Sequence, residues 1–117
     1  MKKLLVFAAV AVMAISTLAA GQEVKGTLVD VACGTANGQK DGFGAKHTKK
    51  CLQMAQCEKS GYAVLTADKK LIKFDAAGNE SAKKFIADTN KDNDFQVTVS
   101  GDVNGDTMSV SKIELQK

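Results

Sequence analysis

All three cysteines and the only histidine of the chain, Cys33, His47, Cys51 and Cys57, fall within 25 consecutive positions. Three chemistries use such a set. Three thiolates and one imidazole make an accepted structural zinc site, so Cys33, His47, Cys51 and Cys57 are the candidate metal ligands. The spacing C-x13-H-x3-C-x5-C departs from the common zinc-finger patterns. Met54, between Cys51 and Cys57, adds a soft thioether that makes copper(I) the second metal to consider. The thiols can also form a disulfide, which always leaves one sulfur unpaired. Lastly, an activated thiol can act as a nucleophile, with His47, Lys46, Lys49 and Lys50 as neighbouring cations. Against that, the chain has no C-x-x-C motif, and no acid close in sequence is placed to orient His47.

Helix geometry restricts the pairing. His47 and Cys51 are four apart and share a face if one helix holds both. Cys51 and Cys57 are six apart, which on an unbroken helix means about 9 Å of rise and ~240° of rotation. A disulfide requires Cα atoms roughly 4.4–6.8 Å apart. On such a helix the bridge must therefore run from Cys33 to Cys57 or to Cys51. Closing the Cys33–Cys57 loop would contribute about 3.5 kcal/mol by chain-entropy reasoning.

The elements that must position these groups begin after a leader. Met1-Lys2-Lys3 is a positive start, Leu4–Ile15 is an apolar run, and Ser16–Gly21 is small and uncharged. This is the pattern of a secretory signal peptide over residues 1–20, too short for a comfortable membrane span of about 20 apolar residues. Residues 21–117 then form one small domain, exported to the periplasm or outside the cell, where disulfides persist. Beyond the leader there is no second hydrophobic segment. Without Lys2 and Lys3, 14 lysines face 13 acids, and the chain has no arginine. A near-neutral surface without arginine and with few aromatic residues is a poor nucleic-acid reader.

Glu23–Cys33 reads as a strand with apolar groups on both faces, and the glycine-rich Gly34–Gly44 as a long loop. Thr48–Ser60 reads as one helix, with Thr48 as its N-cap and Gly61 as its stop. Tyr62–Ala67 and Lys70–Asp75 read as a hairpin about Asp68-Lys69. Ala76–Asn79 introduces a second helix, Glu80–Asp88, with Ala82, Phe85, Ile86 and Thr89 on one face. Phe95–Val103 and Asp106–Leu115 make a hairpin about Asn104-Gly105, with a bulge expected near Ser111 or Lys112. The expected fold is mainly β with two short helices: a small five-stranded antiparallel OB-like barrel, with a two-layer α+β sheet as the alternative. Calcium-like spacings at Asp88/Asn90/Asp92 and Asp102/Asn104/Asp106 lack the required glycine and glutamate and read as turns. The glycine-rich segment lacks the pattern of a phosphate-binding loop.

The chain carries G-x-x-x-D-x-x-C-G (Gly26, Asp30, Cys33, Gly34), H-T-x-x-C (His47, Cys51), C-x-x-x-G-Y (Cys57, Gly61, Tyr62), V-T-V-x-G and a G-D-x-x-x-V-x-x-I hairpin. In this it resembles a group of small exported bacterial proteins of unknown function, OB-like in appearance. The resemblance implies that Cys33, His47, Cys51 and Cys57 form one unit. The expected function is a non-enzymatic exported binding or structural module with no catalytic residues, whose Cys/His cluster forms either a disulfide or a metal site, with zinc, or else copper, as the candidate cofactor. One alternative is a barrel with only a structural disulfide that binds an envelope ligand or protein through the glycine-rich loop. The other is a thiol redox enzyme.

Overall fold

The computed structural model describes residues 21–116; the predicted leader, residues 1–20, and Lys117 lie outside the described residues. The described chain is mainly β. Its strands are β1 (Gln22–Asp30), β2 (Tyr62–Thr66), β3 (Leu71–Phe74), β4 (Gln96–Asn104) and β5 (Thr107–Leu115). Five short helices join them: α1 (Val31–Asn37), α2 (Phe43–Lys46), α3 (Lys49–Leu52), α4 (Ala55–Ser60) and α5 (Ala76–Asp88). Among the described residues no helix is long and apolar enough to cross a membrane.

The strands hydrogen-bond in the order β1-β2-β3-β5-β4, and β1 also pairs with β4, so the ends of the sheet meet. The sheet is mixed, which corrects the all-antiparallel expectation. β3 and β5 run parallel through Lys73↔Thr107 and Phe74↔Met108. The reason is parity: in a closed ring of five strands direction cannot alternate at every contact, so one neighbouring pair must be parallel. That contact is short, only the two pairs named, in keeping with the slanted and weaker bonds of parallel pairing.

Alternation along the strands fills the ring. Leu28, Val64, Ile72, Phe74, Val97, Val99 and Met108 are buried together, with Ala82 and Ile86 of α5 and Leu52 of α3. A second, smaller cluster of Val29, Ala63 and Leu65, packed by Val31, Phe43 and Leu71, lies on the opposite parity of β1 and β2. This accounts for a first strand with apolar groups on both faces.

Local chemistry explains the departures from expectation. The segment expected as a loop from Gly34 to Gly44 is largely helical. Asp30 caps α1, its carboxylate accepting the Cys33 N–H at 2.9 Å. Gly34 is there for close packing, since a Cβ would come within 2.8 Å of Leu71. The single helix expected over Thr48–Ser60 is two, broken at Gln53-Met54. Thr48 does cap the first, its hydroxyl accepting the Cys51 N–H at 3.1 Å. The Leu52 carbonyl, which would carry the ladder onward, instead accepts the Tyr62 hydroxyl at 2.9 Å. The break also lets Leu52 and Cys57 both be buried; on one helix they would point about 140° apart. The second expected helix starts earlier, at Ala76, because Asp75 caps it by accepting the Gly78 N–H at 2.9 Å.

The hairpins shift by a residue. β2–β3 turns through Ala67-Asp68-Lys69, with Lys69 at φ 65°, the three-residue form that ends in a left-handed residue. In β4–β5, Asn104 pairs with Thr107, so the turn residues are Gly105-Asp106. The expected bulge is present: Ser100 pairs with Lys112 and Gly101 with Val110, leaving Ser111 without a partner. Opposite it, a Cβ on Gly101 would lie 1.9 Å from the Ser109 carbonyl oxygen, whereas one on Gly105 meets nothing within 4 Å. Gly101→Ala is therefore expected to destabilise by at least ~2 kcal/mol. Gly105→Ala should cost about 1 kcal/mol, from its positive φ alone. Urea unfolding of the two variants checks the order.

Candidate metal centre

Asp30 is the last residue of β1, on the parity of Leu28, and is fully buried. A buried carboxylate must be paired or hydrogen-bonded, and this one is. Its Oδ1 accepts Nε2–H of His47 at 2.8 Å, and its Oδ2 accepts the Cys33 backbone N–H at 2.9 Å. Burial alone pushes the Asp30 carboxyl up. The His47 hydrogen bond, the Cys33 N–H, the His47 charge and the neighbouring Cys57 thiol outweigh it and hold the group below the ordinary 3.8.

His47 is buried too, and is fixed from several sides. Its carbonyl accepts the Asp94 N–H, and the next residues, Thr48 and Lys49, bridge to Asn93 and bond the Asp92 carbonyl. Lys49 Nζ donates to the Thr89 carbonyl at 2.8 Å. The Phe43 ring lies against the imidazole with centroids 4.9 Å apart and planes tilted by 42°.

The two sulfurs nearest Asp30 come from different helices tied by one side chain. Ser60 Oγ donates to the Cys57 carbonyl at 2.7 Å and accepts the Ala32 N–H at 3.1 Å. The Val31 N–H also bonds the Gly61 carbonyl at 2.9 Å. α1 and α4 are thereby clasped with Cys33 beside Cys57. One ligating atom each from Asp30, Cys33 and Cys57 lie within 4.8 Å of one another.

The structure thus regroups the four residues singled out by sequence. Cys33 and Cys57 come together. His47 joins them through Asp30, in place of presenting its Nε2 to a sulfur. Cys51, half-buried on α3, stands outside the group. All three cysteines are free, so neither expected disulfide, Cys33–Cys57 or Cys33–Cys51, is formed. Met54 is exposed at the helix break. Asp30 is the residue the sequence reading passed over as a ligand. Its signal was there: a carboxylate on the buried parity of a strand, three residues before a cysteine whose N–H it caps.

Burial and the Asp30 charge raise both thiols, Cys33 above its ordinary 9.0 and Cys57 to about 12. Raising a thiol disfavours the thiolate, which is the nucleophilic form. With each sulfur protonated, Asp30 anionic and His47 donating to it, the cluster is a closed hydrogen-bonded unit. It can exchange its thiol protons for a cation.

Compared with protein-family models, curated proteins and solved structures, the chain matches none.

Two measurements test this geometry. His47→Ala would leave the Asp30 charge buried without its partner and is expected to cost about 3–5 kcal/mol, read by chemical denaturation. Tyr62, the only tyrosine in the chain, has its hydroxyl buried on the Leu52 carbonyl, and burial first, then the Glu58 charge, push it up to about 12. Tyrosinate absorbance should therefore titrate near pH 12 in the folded protein and near ~10 in denaturant. Because the folded state holds this proton more tightly, stability from Tyr62 is complete below about pH 10 and falls as pH rises further.

Proposed function

We propose that the chain is an exported, non-enzymatic binding module on a small OB-like barrel, and that Asp30, Cys33 and Cys57, braced by His47, hold a zinc-type cation. The observation that carries the reading is the convergence of one carboxylate oxygen and two sulfurs within 4.8 Å, largely out of water. Zinc accepts such mixed oxygen and sulfur donors. At a zinc–sulfur distance of about 2.3 Å, tetrahedral geometry sets two sulfurs roughly 3.8 Å apart, a small adjustment of the pair. His47 would act on the ion through Asp30, orienting the carboxylate as outer partners of metal ligands do. Two thiolates and a carboxylate favour zinc over copper(I), which prefers sulfur alone.

The OB-like reading is supported by the helix between β3 and β4, by the closure of β1 on β4 and by the single parallel contact. Export is supported by the leader pattern of residues 1–20. The non-enzymatic reading is supported by the upward shift of both clustered thiols.

A second reading is favoured by the same pair of sulfurs: in an oxidising compartment Cys33 and Cys57 are the cysteines placed to join. Elemental analysis and thiol counting on protein purified from the periplasm separate the two. The metal reading expects about one zinc per chain, with Cys33 and Cys57 protected from alkylation until a chelator is added and Cys51 modified throughout. Cys33→Ser and Cys57→Ser should abolish stoichiometric metal, Cys51→Ser should retain it, and His47→Ala should weaken it about 10–100-fold. Two thiols that open only to a reductant, with no metal, would replace this reading with the disulfide. Three thiols modified at once would remove both.

A further inference from the structure

We infer that the cleft between the glycine-rich segment and β1 is a binding site for an acidic saccharide. The cleft has a volume of about 380 Å³, enough for a sugar unit or two, and lies apart from the cysteine cluster, sharing none of its three ligands.

Its mouth is built. Gln39 Nε2 donates to the Lys69 carbonyl at 2.9 Å, and Lys69 Nζ donates back to the Gln39 carbonyl at 2.9 Å and to Asp41. The segment after α1 is thereby fastened to the β2–β3 turn. On the other side Gly44 lies against Thr27, where a Cβ would approach the hydroxyl to 2.8 Å. The glycines that read as flexibility in the sequence hold the segment close to the sheet.

Three features of the lining specify the ligand. Lys25, Lys40 and Lys69 surround the cleft, and no carboxylate is among its lining residues. Among the described residues Lys25 and Lys40 have no ion-pair partner. Lys69 is neutralised by Asp41, so Lys25 and Lys40 are the unpaired positive charges that would select an anion. The lining floor is polar: Gln96 Nε2 donates to Thr27 Oγ1 and, outside the cleft lining, to Asp94 Oδ1, both at 2.9 Å, and Gln116 Nε2 donates to the Val97 carbonyl at 3.1 Å, so the two amide oxygens are left to accept. Amide and hydroxyl groups of this kind bond sugar hydroxyls. Phe43 and Leu65 supply the apolar wall on which a sugar's C–H face can rest. A carboxylate for the lysines, hydroxyls for the amides and an apolar face for the ring together describe a uronic-acid saccharide. Such a ligand suits a protein exported into the envelope. A lone inorganic anion would use only the lysines.

The test is a titration of the purified protein with trigalacturonate, followed by amide ¹H–¹⁵N spectra, with maltotriose and inorganic phosphate in parallel. Saturable shifts are expected at Thr27, Phe43, Gly44 and the Gln96 side-chain amide, weakening as salt is raised. The exposed double variant Lys25→Gln/Lys40→Gln should leave the remaining spectrum unchanged and weaken binding at least tenfold. Equal binding of maltotriose would overturn the charge argument, and equal binding of phosphate would overturn the saccharide. Shifts that never saturate, or a double variant that binds as tightly as the parent, would overturn the site itself.

Discussion

The chain buries an ionised carboxylate at the end of its first strand, and the surrounding architecture answers to that constraint. Stripping the water from Asp30 costs several kcal/mol unless partners replace it. The replacements come from progressively further along the chain: a backbone N–H three positions on, an imidazole 17 positions on, and a thiol beyond that. Each fixes a different piece of chain. The N–H starts α1, the imidazole anchors the segment leading into α3, and the thiol belongs to α4. The whole connection between β1 and β2 is thus folded about one side chain.

Tyr62 governs the other half of that connection. It stands opposite Asp30 in the β1–β2 register, and its hydroxyl takes the Leu52 carbonyl from the helical ladder. Its backbone N–H is taken by Asn79 Oδ1 at 2.8 Å, which ties the end of the connection to α5. Breaking the helix at Gln53 sets Cys51 and Cys57 on separate helices. Cys57 turns inward to Asp30, and Cys51 remains with the half-buried surface of α3.

What could be read from the sequence were features set by neighbours in the chain. The Thr48 cap, the stop at Gly61, the helical face of Ala82 and Ile86, the two hairpins and the bulge at Ser111 all follow from local spacing and backbone preference. What could not be read depends on residues that meet only after folding. Asp30 shows in the sequence as an acid on the parity of Leu28, three residues before a cysteine, but its pairing with His47 does not. Gly34 and Gly44 look like loop glycines until Leu71 and Thr27 close on them. The helix break at Gln53 is set by the hydroxyl of a strand residue ten positions later. The parallel β3–β5 contact departs from the antiparallel expectation, and it is set by closure of the five-stranded ring rather than by any local signal. The grouping of cysteine and histidine was legible as a neighbourhood, but not the order of contacts within it.

Phe43 joins the two regions that carry chemistry. One part of its surface lines the cleft, and its ring packs on the imidazole that pairs with Asp30. It also belongs to the smaller apolar cluster with Val29 and Leu65, so its position is fixed by packing. An ion drawing on Asp30 would act on His47 through a hydrogen bond, and Phe43 packs on that imidazole. The cleft wall is therefore held in place by the same contacts that hold the cluster. Whatever stiffens the carboxylate and its imidazole also stiffens the Phe43 side of the cleft, which gives this part of the fold rigidity without a larger core.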